Sequence, residues 1–226
     1  MGSDDLFHKK RERSTNDLKR NVGSRKNPAK LSQLRILIVC EDSKSSAFYL
    51  EELAKKDLNL DAVKIEGKRC GSAPSSVLNW AREEYASSVK DRNKYDRVYC
   101  VFDRDQHHCF DATVHAISTL KPKNTFFAIT TTPCFEFWLL LHFQFTSKSY
   151  SATQNKSPCD IANVDLKAEW ANYGKSKRDI YTHVKEKTAD AITNAKQLVT
   201  YNINSGSTNP QTNMHELIEY LQSIKR

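Results

Sequence analysis

The chain has 226 residues, which suits one medium-sized domain with or without a small appendage. Its composition, 38 % hydrophobic and 27 % charged, excludes a largely disordered chain, and no apolar run approaches the roughly 18 residues of a membrane span. The N-terminus does not resemble a signal peptide, so we expect a cytoplasmic protein, and the net charge of +8 favours a polyanionic partner.

Residues 1–33 are a basic leader with few apolar residues. Nine Lys or Arg fall between Lys9 and Lys30, against only Glu12 and Asp17. A segment of this composition has too few apolar side chains to form a hydrophobic core. We therefore expect either a solvated tail or an arm that lies on phosphates or on a partner.

From residue 34 onward, apolar runs typical of buried strands alternate with amphipathic helices. This alternation predicts right-handed crossovers and an α/β fold, a Rossmann-like parallel sheet of about four strands flanked by helices. In such a sheet the first and third strands lie side by side, and ligands bind at their carboxyl ends. The predicted strands are 34–40, 60–65, 97–102 and 125–130, and the helices between them are 43–56 with Ser43 as N-cap, 75–89 and 111–120.

The C-terminal part is predicted to be helical apart from one insertion. Pro133 can open a buried helix that runs to Phe143, which completes a core over residues 34–143. Residues 144–177 are polar and are interpreted as an irregular insertion. Residues 178–226 then form helices that pack on the core. These are one long helix over 178–202 and a last helix at which Asn213 and Glu216 have capping-box spacing.

Three carboxylates follow the two most apolar predicted strands. Glu41 comes directly after the first strand, and Asp103 and Asp105 come after the third. In an Asp-x-Asp at a strand end, both side chains lie on the same side. Carboxylates in a small volume repel one another unless a cation holds them, and hard oxygen ligands select Mg²⁺ or Mn²⁺. The alternative is that acids follow strands simply because loops are polar.

Two further residues are candidates for the same site. Glu136 falls in the first turn of the predicted buried helix after strand four, where it is either a carboxylate favoured by the helix dipole or a further metal ligand. Lys44 is either an exposed lysine or a residue that stabilises charge on a phosphate in the transition state.

Histidines and cations supply the remaining candidates. His107 and His108 follow the Asp-x-Asp and can orient water, donate a proton or contact RNA, or they are capped loop histidines. Basic side chains on a surface are usually solvated, but they can also hold a nucleic-acid backbone. The basic candidates for that role are Lys68, Arg69, Arg104, Lys175, Lys177 and Arg178.

Four strings in the chain resemble a known family. ILIVCE followed by VFDRD resembles the Toprim pattern of a Glu after the first strand and a DxD after the third. ILIVCEDSK, YDRVYCVFDRDQHH, TPCFEFWLLLHF and NPQTNMHEL together resemble the RloB family of bacterial phage-defence proteins. The resemblance implies a Toprim-like nuclease domain, a divalent-metal site, a role in abortive infection and an ATPase of the ABC or AAA type encoded nearby. In that family the residue after the first Glu is usually Gly, whereas here it is Asp42, so metal binding need not match the family's.

Two functions from different classes follow. The first is a metal-dependent nuclease that cuts RNA, with tRNA as one target by analogy with other Toprim effectors, or DNA. The second is a subunit that docks on an ATPase and holds nucleic acid without cutting it. A primase- or topoisomerase-like activity is a weaker third, because no breakage tyrosine stands out among the nine tyrosines. Assembly into a homo-oligomer is left open.

Overall fold

Within the residues described by the computed structural model, which are 34–67, 71, 73–105 and 107–225, five strands form one sheet. The basic leader and the candidates Lys68 and Arg69 lie outside these residues. The strands are β1 Ile36–Cys40, β2 Val63–Glu66, β3 Arg97–Asp103, β4 Phe126–Thr132 and β5 Gln211–Thr212. Their order across the sheet is β2-β1-β3-β4-β5, with helices on both faces.

The helices follow the predicted alternation as far as β4. The helix over Ser45–Glu51 continues into a π-helical segment over Glu52–Asp57, and a short 3-10 turn over Lys185–Lys187 separates the helix over Ile180–Val184 from the one over Thr188–Ser205. Among the described residues, no helix is long and apolar enough to cross a membrane. The helices are α1 Ser45–Glu51, α2 Pro74–Lys90, α3 Phe110–Thr119, α4 Phe135–Leu140, α5 Pro158–Glu169, α6 Ile180–Val184, α7 Thr188–Ser205 and α8 Met214–Ser223.

The strand pairing confirms the α/β, mostly parallel sheet. Strand β1 lies between β2 and β3, with Ile36 opposite Arg97 and Cys40 opposite Val101. Strand β5 pairs antiparallel with the end of β4 and was not predicted, because two residues are too few to show a period. The sheet therefore has one strand more than expected, and its four parallel strands end at one edge.

Strand β1 is buried on both faces, which explains its continuous apolar run. Ile36, Ile38 and Cys40 pack into a core with α1 and α4 to α8, and Leu37 and Val39 pack against α2 and α3. All five side chains are completely buried. The C-terminal helices thus share one core with the sheet.

Asn213 closes the open edge of β4 instead of capping the last helix. Its side-chain amide donates to the carbonyl of Ala128 at 3.0 Å, and its side-chain oxygen accepts from the N–H of Thr130 at 2.7 Å. The predicted capping box with Glu216 is therefore wrong, because the Asn213 side chain makes no cap hydrogen bond to α8. A side chain here satisfies strand groups that would otherwise lack a partner.

The segment 144–177, predicted to be irregular, instead contains helix α5. Ser157 and Asp160 form a capping box, with the Ser157 hydroxyl accepting from the Asp160 N–H at 3.1 Å and the Asp160 carboxylate accepting from the Ser157 N–H at 2.9 Å. The helix buries only Ala162 and Leu166, and its other residues are exposed or half-buried, so its apolar period is weak. Capping rather than hydrophobic periodicity was the available signal.

Two other predicted helices differ from the structure. The single helix over 178–202 is split into α6 and α7 by the 3-10 turn. Pro133 does not open a helix, since Cys134 occupies the N-cap position and α4 begins at Phe135. Pro133 therefore belongs to the connection out of β4, and its carbonyl accepts from the Asp105 N–H at 3.1 Å.

A candidate metal and nucleic-acid site

A cavity of about 570 Å³ opens at the carboxyl ends of β1 and β3. It contains all four carboxylates predicted as metal ligands, together with Lys44 and Lys175. The parallel pairing of β1 with β3, and of β3 with β4, brings their three ends to this place. The described lining residues are Glu41, Asp42, Ser43, Lys44, Ser46, Gly67, Gly71, Val101, Phe102, Asp103, Asp105, Phe135, Glu136 and Lys175.

Glu41 is held at both of its carboxylate oxygens. Its Oε2 accepts from the backbone N–H of Asp103 at 2.9 Å, and its Oε1 lies 2.9 Å from Nε2 of His107. Burial raises the pKa of Glu41, against the opposing effects of the Asp103 N–H and of His107. Glu41 thus joins the end of β1 to β3 and fixes the His107 ring beside the cavity.

Asp42 does the capping that was predicted for Ser43, and the Ser43 prediction is wrong. Oδ1 of Asp42 accepts from the backbone N–H of Ser46 at 3.2 Å and from its hydroxyl at 2.6 Å. Helix α1 begins at Ser45, and the N-cap position, Lys44, makes no side-chain cap bond. Asp42 therefore directs its charge towards a helix N-terminus, where negative charge is favoured.

Asp103 is the carboxylate whose charge is least favoured. Its Oδ2 accepts from the backbone N–H of Phe135 at 3.1 Å. Burial raises the pKa of Asp103 well above its usual range, and the charges of Glu136, Glu41 and Asp42 act in the same direction, with only the Phe135 N–H opposing them. A cation in the cavity would relieve this repulsion.

Glu136 is buried, with 1 % of its surface exposed, and it is held by three partners. Its Oε1 accepts from the Tyr173 hydroxyl at 2.9 Å and from the Ser45 hydroxyl at 3.5 Å, and it lies 3.3 Å from Nζ of Lys175. Tyr173 and Ser45 were missed by sequence reasoning. Tyr173 is 37 residues away along the chain, and no local pattern marks it as a partner of this carboxylate.

The carboxylates share a cavity, but they do not form a ready-made ligand cage. Asp105 is exposed and has a left-handed backbone with φ of 33°. Among the described residues, no three His, Cys, Asp or Glu side chains are arranged so that they could hold a metal ion together. The donor chemistry nevertheless fits Mg²⁺ or Mn²⁺, because every candidate ligand is a carboxylate oxygen. Burial and the neighbouring carboxylates also disfavour the ionised form of Asp103, which a bound cation would stabilise.

The cations predicted to bind nucleic acid are only partly at this site. Lys175 lines the cavity, as does Lys44, which was predicted to stabilise charge on a phosphate, whereas Arg104 pairs with Asp111 at 2.9 Å and is not among the lining residues. His108 is exposed and does not line the cavity either. Lys177 and Arg178 follow Lys175 on the connection between α5 and α6.

One comparison with known proteins gives a match. The family model described as "RloB-like protein" matches residues 36–221, which cover the whole sheet and all but the end of the last helix. No curated protein and no solved structure matches the chain. The match includes every described residue that lines the cavity.

Proposed function

This chain belongs to the RloB-like protein family, and from that premise we propose that it is a divalent-metal-dependent nuclease with a Toprim-like site. It hydrolyses phosphodiester bonds of RNA, with tRNA as one substrate, or of DNA. It acts as the effector of a phage-defence system and works with an ATPase sensor of the ABC or AAA type.

The observation that carries the proposal is that the ionised form of Asp103 is disfavoured by its surroundings. This carboxylate lies in a cavity with three other acids that were predicted as ligands, and burial and its neighbours oppose its ionisation. A structural carboxylate would be expected to have a compensating cation or several donors. Asp103 instead has one backbone donor, from Phe135, among the hydrogen bonds that the structure describes. This pattern favours a functional cation site over a structural one.

The four carboxylates would differ in their roles as ligands of the ion. Glu41 and Asp103 would be the principal ligands for Mg²⁺ or Mn²⁺, with Asp105 and Glu136 completing the set. The bound ion would supply Lewis-acid stabilisation of charge on a phosphoryl oxygen. The backbone N–H of Asp103 donates to the Glu41 carboxylate, and the backbone N–H of Phe135 donates to the Asp103 carboxylate. These two hydrogen bonds orient the two principal ligands.

Three other side chains have roles at the phosphate. Lys44 and Lys175 line the cavity and would stabilise negative charge on non-bridging oxygens. The His107 ring, hydrogen-bonded to Glu41 at 2.9 Å, can donate a proton to the leaving oxygen or accept one from attacking water. Glu41 in turn keeps that ring in one orientation.

The test is cleavage of plasmid, single-stranded DNA and total tRNA with Mg²⁺, Mn²⁺ or EDTA, with the neighbouring ATPase present and absent. Asp103→Ala is expected to lower the rate by on the order of 10³-fold, since it removes a principal ligand of the ion that would stabilise charge on the phosphoryl oxygen. Glu51→Ala, which changes an exposed acid on α1, is the matched control and should cut normally. If no substrate is cleaved with either metal, the proposed nuclease activity is wrong.

One observation favours a second candidate, a non-cleaving subunit of the same defence complex. Within the described part of the chain, no group of three metal-ligating side chains is preformed. A protein of this kind would bind nucleic acid and co-purify with the ATPase, but Asp103→Ala would leave both properties unchanged. Co-expression with the neighbouring gene product tests docking, and a clean monomer from such cells would argue against it.

A further inference from the structure

Beside the acidic cavity, several cations lie over aromatic rings. We call Lys175, Lys177, Arg178 and Lys187 the basic track. Lys177 lies 5.8 Å from the centre of the Trp170 ring, Arg178 lies 5.2 Å from the Phe48 ring, and Lys187 lies 4.4 Å from the Phe143 ring. Lys175 connects the track to the cavity through its contact with Glu136.

Two of the rings beneath the track, those of Trp170 and Phe143, are themselves in contact. Trp170 lies 6.5 Å from Phe143 and 5.1 Å from Tyr173, measured between ring centres. The Tyr173 hydroxyl donates to Glu136. A continuous row of packed side chains therefore runs from the Lys187 end of the track to a carboxylate of the cavity.

The outer cations of the track are not neutralised by acids. Among the residues that the structure describes, Lys177, Arg178 and Lys187 make no ion pair, whereas neighbouring Lys185 is paired with Asp57 at 2.6 Å. Segment 175–187 carries five Lys or Arg against two acids. The three outer cations of the track thus carry positive charge that no described ion pair offsets, next to a cavity lined by several carboxylates.

The aromatic rings restrict the cations. A lysine or arginine on an open surface loses side-chain entropy when it binds, but a cation already placed over a ring loses less of it. The support favours a repeated anionic ligand that meets several of these cations at once.

We propose that the basic track binds the phosphodiester backbone of a nucleic-acid strand and leads that strand into the acidic cavity. The inference rests on the proposed function for the identity of the strand. A phosphodiester strand fits because its charges recur along its length and because its phosphates can approach a cavity that holds a cation.

Binding without cleavage tests the track. The full chain in EDTA is titrated against labelled single-stranded RNA, single-stranded DNA and duplex DNA of about 30 nucleotides, and anisotropy is followed from about 50 to 300 mM salt. Lys177→Ala, Arg178→Ala and Lys187→Ala should each lower affinity about 5-fold at about 0.1 M salt and reduce the salt slope by about 0.7, and the triple variant should lose about 100-fold. The arms show which strand chemistry is preferred.

Lys64→Ala is the matched control. Lys64 also lies over an aromatic ring, that of Trp80 at 5.5 Å, but it is paired with Glu84 at 2.7 Å and contacts helix α2 on the other face of the sheet. The Lys64→Ala variant should bind each labelled nucleic acid with the affinity and salt slope of the unaltered chain. Equal thermal stability of all variants, measured by circular dichroism, shows that the fold is kept.

The outcomes separate this inference from the proposed nuclease. If the triple variant binds every probe with the affinity and salt slope of the unaltered chain, the basic track is wrong even if cleavage occurs. If polyglutamate competes as well as nucleic acid does, an acidic protein is the better ligand and the inference is overturned. If the track variants lose binding but no cleavage is ever seen, nucleic-acid binding by the basic track is supported and the proposed nuclease activity is contradicted.

Discussion

Repulsion between carboxylates dominates the candidate site at the scale of single residues. Asp103 has its pKa raised by burial and then by Glu136, Glu41 and Asp42. A group whose folded-state pKa lies above its unfolded value destabilises the fold once the pH exceeds that unfolded value. At neutral pH, ionised Asp103 therefore costs stability, as expected for a residue retained for function.

Asp103→Asn is expected to stabilise the protein while it abolishes cleavage. Its side-chain oxygen can still accept from Phe135, but the repulsion is gone. We expect a gain of about 1 kcal/mol, or roughly 2–4 °C in Tm for a chain of this size, measured in EDTA by calorimetry. Added Mg²⁺ should raise the Tm of the unaltered chain more than that of the variant.

Asp111→Asn is the control for this comparison, because Asp111 is exposed and pairs only with Arg104 among the ion pairs described. It should leave both the Tm and the response to Mg²⁺ nearly unchanged. A lower Tm for Asp103→Asn, or an unchanged response to Mg²⁺, would contradict the cation-site interpretation.

His142 should make stability fall as the pH is lowered. Its ring is buried, with Nδ1 3.1 Å from the Trp138 carbonyl and Nε2 3.2 Å from the Tyr49 hydroxyl, and burial lowers its pKa from 6.5 to about 4. Because the folded-state pKa is lower, the unfolded chain gains protons first. The resulting stability is present above pH 6.5 and is lost towards pH 4, by about 3 kcal/mol in all.

Urea unfolding at about pH 7 and about pH 4.5 measures this effect. His142→Asn can keep the bond to the Trp138 carbonyl but does not titrate, so its stability should fall less between the two pH values. Parallel losses in the two proteins would show that His142 is not the group responsible.

At the scale of elements, a single acid holds the short helix α6 in place. Glu52 is buried in the π-helical segment, and its Oε2 accepts from the backbone N–H groups of Tyr181 at 3.0 Å and Thr182 at 3.3 Å. It therefore caps a helix 129 residues away along the chain. A five-residue helix is too short to be stable alone, and Arg178 of the basic track lies just before it.

Glu52→Ala should destabilise the fold by about 3 kcal/mol, because the buried N–H of Tyr181 and the partly buried N–H of Thr182 lose a charged acceptor. Glu52→Gln keeps one acceptor oxygen and should lose about 1 kcal/mol. Hydrogen exchange at the Tyr181 and Thr182 amides, together with urea unfolding, gives the measurement. The exposed neighbour in Glu51→Ala should change neither, and protected amides in Glu52→Ala would disprove the capping role.

At the scale of the whole molecule, the sheet order joins distant segments at one edge. Strand β2 lies beside β1, so Gly67, directly after β2, meets the loop after β1. A Cβ at Gly67 would overlap the carbonyl oxygen of Asp42 and lie 3.1 Å from Cα of Ser43. The position therefore requires glycine for close approach and not for an unusual φ.

Gly67→Ala should displace the Asp42–Ser43 loop and lower cleavage by about 100-fold, the effect of a shift of about 1 Å in a catalytic group. It should also cost about 1–3 kcal/mol in urea unfolding, as overpacking does. Gly174→Ala is the control, since a Cβ there meets nothing within 4 Å. Normal activity and stability in Gly67→Ala would show that the loop does not need this contact.

The sequence by itself determined the alternation of strands and helices, the neighbouring β1 and β3, and the meeting of Glu41, Asp103, Asp105 and Glu136 at one edge. These follow from local periodicity and from the handedness of crossovers, which depend on residues close together in the chain. Only the tertiary structure decided that Tyr173 holds Glu136, that Glu52 caps α6 and that Asn213 closes the edge of β4. Each of these depends on one or two polar bonds between residues 37 to 130 positions apart, and such bonds leave no repeating pattern in the sequence.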